Sequence, residues 1–119
     1  MAVPAETDIA LFRAEVEAEL TSILAFWREN GLDTEKGGFI GRLSNEGTPD
    51  QSAPKGAVLN ARILWTFSAA ARHSGTAENC ALADRAYEYI VKYFLDQEMG
   101  GVYWTVTPDG EPLSTRKQI

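Results

Sequence analysis

Asp33-Thr34-Glu35-Lys36-Gly37-Gly38 returns as Asp96-Gln97-Glu98-Met99-Gly100-Gly101. The first stretch runs on to Gly47 and Pro49, the second to Gly110 and Pro112, and every matching pair is 63 residues apart. An ungapped repeat of this length belongs to a modular architecture, in which one unit cannot bury its apolar face without a neighbour.

The flanking sequence gives the unit its elements. Ile9, Phe12, Val16, Leu20, Ile23 and Trp27 recur every three or four residues, the stripe of an amphipathic helix over about residues 8–30. Thr7 or Asp8 suits its start and Gly31 its end. Phe39 and Leu43, followed by a turn over Ser44–Gly47 and by Thr48-Pro49, suggest a short strand and a weak second one. Val58–Ala71 is apolar on nearly every side, which predicts a helix buried on nearly every side. Pro54 suits its first turn and Ser74-Gly75 its stop. Thr76 can cap a third helix with the stripe Ala83, Tyr87, Ile90 and Phe94. Val102, Trp104 and Val106 alternate with Tyr103 and Thr105 as in a strand, before the turn Pro108-Asp109-Gly110. The unit is therefore an outer amphipathic helix, a Gly-Gly hairpin and an inner buried helix. Arg116-Lys117-Gln118-Ile119 repeats the approach that Lys55 makes to the inner helix, so residues 1–119 read as one incomplete domain of two helix–hairpin modules.

Composition narrows the partners. A chain of 119 residues holds one domain at most, with a modest core. Its 45 % hydrophobic and 24 % charged content argue against disorder. A formal net charge of −6 without a Lys/Arg cluster argues against nucleic acid or an anionic membrane as partner. Cys80 is the only cysteine, which excludes an intramolecular disulfide and a cysteine-pair metal site. Residues 1–12 lack the basic-then-apolar order of a signal peptide, and no stretch approaches the roughly 20 apolar residues of a membrane span. The expectation is a soluble protein of a reducing compartment, most simply the cytoplasm.

The run Lys55-Gly56-Ala57-Val58-Leu59-Asn60-Ala61-Arg62-Ile63-Leu64-Trp65-Thr66-Phe67-Ser68-Ala69-Ala70 closely resembles the N-acylglucosamine 2-epimerase family, and within it the cellobiose 2-epimerases. Phe26-Trp27, Gly37-Gly38-Phe39, Ala83-Asp84-Arg85-Ala86-Tyr87, Gly100-Gly101-Val102-Tyr103-Trp104 and Lys117-Gln118-Ile119 extend the resemblance over nearly the whole chain. It implies a mainly α fold, the N-terminal part of a barrel of six outer and six inner helices. Here that part holds three helices and two short Gly-Gly β-hairpins. Six units of 63 residues make a ring of about 380, a plausible closed toroid.

The resemblance also implies a reaction, inversion at carbon 2 of an aldose or of a reducing-end glucose, with a monosaccharide or disaccharide as partner. A base removes the proton beside the carbonyl, and a fixed positive group stabilises the oxyanion of the enediolate. This chemistry requires no cofactor, and no metal or nucleotide motif is present in the sequence. In the family an arginine is the positive group, and Arg62 matches it. The family's histidine bases belong to later helices, so the 119-residue chain alone is expected to be inactive.

Each candidate has a plainer reading. Arg62 on an apolar helix could be a structural ion pair with Glu35 or Glu98. Tyr103 and Trp104 could stack on a sugar or simply pack, whereas Trp27 and Trp65 lie on core stripes. Asn60 points about 200° away from Arg62 and is expected to bond a neighbouring hairpin. His73, the only histidine, follows Arg72 at a helix end and reads as a surface residue. Asp33/Glu35 and Asp96/Glu98 resemble neither a single glycosidase pair, since they recur, nor a calcium loop, which needs more oxygens. Lys55 and Lys117 are expected to pair with acids of the adjacent hairpins. Two rival functions stand beside the epimerase: a non-catalytic truncated fragment or scaffold module that self-associates through the exposed inner-helix face, and a glycoside hydrolase on a similar toroid.

Overall fold

The computed structural model describes Val3 and residues 5–117, so the end of the expected approach to a second inner helix, Gln118-Ile119, lies outside the described residues. Helix α1 spans Glu6–Asn30, α2 Ala57–Ser74 and α3 Ala77–Tyr89. A π-helical turn, Ile90–Phe94, continues α3, closed by an amide of Leu95 that reaches back five residues to the carbonyl of Ile90. Strands β1 (Lys55–Gly56), β2 (Thr105–Val106) and β3 (Pro112–Ser114) form one antiparallel sheet in that order. No described helix is long and apolar enough to cross a membrane.

Several boundaries differ from expectation. Helix α1 begins earlier, after Ala5, which supplies no side-chain cap; Thr7 and Asp8 lie inside its first turn. Pro54 precedes β1 rather than opening α2, because Lys55 and Gly56 are first drawn into the sheet. Thr76 does cap α3 by accepting from the amide of Asn79, and Gly75 ends α2 in the left-handed region. The second hairpin is a laddered sheet, since β1 gives β2 a second neighbour. The first is closed only by the isolated bridges Leu32–Phe39 and Leu43–Pro49, as a two-stranded ribbon gains little alone.

The core is made where α2 and α3 meet. Ile63, Phe67 and Ala70 of α2 pack with Leu82 and Ala86 of α3, with Leu24 of α1 and with Phe39 of the first hairpin. Phe39 and Phe67 stack with ring centroids 6.3 Å apart. Beside it, Tyr89, Phe94 and Val106 form a smaller cluster under the second hairpin. Helix α2 is not buried all round as its composition predicts. Only the face carrying Asn60, Ile63, Phe67 and Ala70 is covered, while Val58, Arg62 and Trp65 are open. Helix α1 likewise meets the core through Leu24 and Trp27, leaving Ile9, Phe12, Val16, Leu20 and Ile23 exposed.

The repeat is reproduced in its backbone bonds and in its aspartate–lysine clasp. In each copy the aspartate amide donates to the carbonyl of the second glycine, and the first glycine donates back to the aspartate carbonyl. One oxygen of Asp33 accepts from the amides of Glu35 and Lys36, and one of Asp96 from those of Glu98 and Met99. The other oxygen takes a lysine. Lys55 Nζ lies 2.8 Å from Asp33 Oδ2 and 2.9 Å from the Gly37 carbonyl; Lys117 Nζ lies 2.9 Å from Asp96 Oδ2 and 2.7 Å from the Gly100 carbonyl. The expected pairing of the two lysines with hairpin acids is therefore present. The first clasp is buried and the second partly open.

Both carboxyls are held below their ordinary value. At Asp33 burial pushes upward, but the Lys55 hydrogen bond and charge and the two loop amides outweigh it. At Asp96 the Met99 amide and then Lys117 bring the value to about 2. A depressed carboxyl contributes stability that is complete above its unfolded value and lost as pH falls through the folded one. Urea midpoints should therefore fall as the pH is lowered from about 4 to 2, and Asp96→Asn should remove part of that slope. Lys55→Met leaves a buried charge unpaired and should cost about 3–5 kcal/mol at neutral pH. That loss should shrink in acid, where Asp33 takes a proton; an equal loss at pH 7 and pH 3 would contradict the clasp as its cause.

Candidate functional site

The inner helix starts against the second hairpin. The amide of Ala57, its first residue, donates to the carbonyl of Trp104 at 3.0 Å, and the amide of Trp104 donates to the carbonyl of Ser114 at 3.0 Å. Lys55 pins the preceding strand from the other side through Asp33 and Gly37. The first turn of α2 is thus fixed from both hairpins. Arg62 lies five residues into the helix, about 7.5 Å along its axis from Ala57.

Arg62 is exposed, and among the described residues its guanidinium forms no ion pair and no side-chain hydrogen bond. The alternative ion pair with Glu35 or Glu98 is not formed. Helical spacing places Val58 and Trp65 on the same face. Trp65 is 73 % exposed, which corrects its assignment to the core: its stripe faces away from α3. Sequence reasoning missed it because an apolar run conceals which side is covered. The signal was there in the spacing Val58, Arg62, Trp65, Ala69, which singles out one face by its arginine.

Tyr103 and Trp104 differ in availability. Tyr103 packs against the cluster of Tyr89, Phe94 and Val106, its amide donates to the Phe94 carbonyl, and Lys117 Nζ stands 5.2 Å from its ring centroid. Trp104 keeps 40 % of its surface open. The backbone of Trp104 thus meets the helix that bears Arg62, while Tyr103 is engaged in packing.

The remaining polar residues serve the scaffold. Asn60 is buried, and its Nδ2 donates to the carbonyl of Gly56 at 2.8 Å, one turn back rather than to a neighbouring hairpin. Its Oδ1 has no protein partner among the described residues. His73 is exposed in the last turn of α2, eleven residues and about 16 Å of helix from Arg62. It cannot serve a proton transfer at that arginine. Asp33 and Asp96 are consumed by the loop amides and lysines. No three His, Cys, Asp or Glu side chains among the described residues are grouped to hold a metal ion. The arrangement can present a cation beside the exposed Trp65, with the chain's only histidine at the far end of the same helix.

Comparison with known proteins agrees with this frame. The model of the family N-acylglucosamine 2-epimerase (GlcNAc 2-epimerase) matches residues 38–119. A cellobiose 2-epimerase of Bacteroides fragilis is 48 % identical over 110 residues, covering 92 % of this chain and 28 % of the relative. The solved cellobiose 2-epimerase from Spirochaeta thermophila superposes with a TM-score of 0.87 at 36 % identity, over 95 % of this chain and 28 % of that one. A sugar epimerase from a ruminal bacterium gives a TM-score of 0.82 at 42 % identity, over 87 % and 27 %. The chain spans a little over a quarter of the length of these relatives and has the helix-and-hairpin fold of the corresponding part of their α/α barrels. With a match this extensive at both levels, the chain belongs to the N-acylglucosamine 2-epimerase family.

Proposed function

We propose that the chain supplies the N-terminal, oxyanion-binding part of a carbohydrate 2-epimerase, acting on an aldose or on the reducing-end glucose of a disaccharide such as cellobiose. The observation that carries this reading is Arg62, a charged side chain exposed and unpaired among the described residues in the mainly apolar first half of α2. An unpaired guanidinium beside aromatic surface suits a substrate oxygen that becomes negative during reaction. When the proton at carbon 2 leaves, the carbonyl oxygen gains the charge, and the guanidinium stabilises the enediolate by donating to it. Return of the proton on the opposite face completes the inversion. The open surface of Trp104 suits the apolar face of a sugar, and Tyr103 is the weaker contact because its ring is engaged. The base comes from outside residues 1–119, since the only histidine stands at the far end of α2. The cytoplasm remains the proposed location, on the sequence alone.

The exposed apolar residues of α1 and α2 support a second reading, in which this length of chain acts as an associating module without catalysis. Two measurements separate the readings. Alanine at the place of Arg62 in a full-length relative should lower kcat/KM by about 10²–10³ while leaving the fold intact; a folded variant epimerising at the wild-type rate sinks the assignment. The purified 119-residue chain should form no epilactose from lactose. Appearance of epilactose would show that the base lies within these residues.

A further inference from the structure

The first Gly-Gly loop is closed by a helix of the next module. Arg85 of α3 donates from Nε to the carbonyl of Gly38 at 2.8 Å and from Nη2 to the carbonyl of Asp33 at 2.7 Å. One turn later Tyr89 covers Gly38, which is buried with φ +66°, so tightly that a β-carbon there would strike the ring. The two carbonyls already accept one backbone amide each, and Arg85 takes their remaining capacity.

The second loop has the same backbone with half of these partners. The carbonyls of Asp96 and Gly101 accept the amides of Gly100 and Asp96, as in the first copy. Neither receives a side-chain donor among the described residues, and Gly101 is exposed. The backbone at Gly101 has φ +72°, close to that of Gly38, so the same contact geometry is on offer. We infer that the 96–101 loop is a docking site for one further helix of the α3 kind, which brings an arginine to the carbonyls of Asp96 and Gly101 and covers Gly101 one turn later.

Chemistry selects this occupant. Two carbonyls at fixed separation match the two-pronged planar guanidinium, which a lysine cannot imitate. The exposed Glu98 adds charge complementarity. A second copy of this chain does not offer the group in the register of α3. Its α3 arginine is already engaged by its own first loop, and 63 residues before Arg85 its α1 carries Ser22, too short to span both carbonyls. The occupant that fits is therefore a helix in the register of α3, supplied from outside residues 1–119. This inference concerns assembly and does not depend on the reaction proposed above.

The test lengthens the chain in phase. A second copy of residues 58–95, appended after Ile119, places its own α2 and α3 where the repeat requires them. Amide exchange at Asp96 and Gly100 should slow by about tenfold or more relative to the original chain. Arg85→Ala made in the appended copy alone should abolish the slowing, and Arg85→Lys there should restore only part of it. The same substitution at the original Arg85 should instead speed exchange at Asp33 and Gly37, which calibrates the readout. Unchanged exchange in the lengthened chain overturns the inference. So does slowing that survives Arg85→Ala, or slowing that rises with protein concentration and thus reports a second copy.

Discussion

The buried ammonium of Lys55 governs the rest of the structure. It is 1 % exposed, and such a charge is tolerable only when each of its protons has somewhere to go. Two go to Asp33 and to the Gly37 carbonyl, and the Tyr89 ring, 4.7 Å away at its centroid, faces the group. Asp33 is satisfied in turn by two loop amides. One side chain therefore joins the first hairpin, the third helix and the strand that opens the second helix. Tyr89 bears a cost of the arrangement. Its hydroxyl is buried without a protein partner among the described residues, and burial, with Tyr93, Asp33 and Asp109 nearby, pushes its pKa up to about 12.

Much of this was legible before any coordinates. The 63-residue offset marks two loops that share their backbone and aspartate–lysine hydrogen bonds, and Lys55 and Lys117 could be matched to acids by their recurrence alone. Local chemistry of this kind is written in residue types at short range. What remained hidden depends on neighbours. An apolar helix does not record which of its sides a given length of chain will cover, so the open face of α2 and the exposure of Trp65 were misjudged. The five-residue back-bond at Leu95 leaves no signature in the helical stripe of α3, and the capture of Lys55-Gly56 by a strand fifty residues away overrode the helix-start signal at Pro54.

At the candidate site, the same helix separates two polar duties by rotation. Asn60 turns inward and fixes the helix to its own first strand, while Arg62 turns outward without a side-chain partner among the described residues. Sequence reasoning could place them on different faces, since helical geometry requires it. It could not tell that the inward residue would look back along its own backbone. Nor could it tell that Tyr103 would be drawn beneath Lys117 while its neighbour Trp104 stayed accessible. These outcomes turn on the path of the hairpin.

The two clasps are the same although the chain lengths leading to them are not. Asp33 and Asp96 differ by 63 positions, but Lys55 and Lys117 by only 62. In the first copy the slack is coiled into a small turn after Pro49, where Asp50 accepts from the amide and hydroxyl of Ser52. In the second, β3 runs straight toward the lysine. The segment between the proline and the lysine is thus a length buffer. One residue more or less is absorbed there while the lysine still reaches its aspartate, which makes it the place for an engineer to change the length of the chain with the clasp kept.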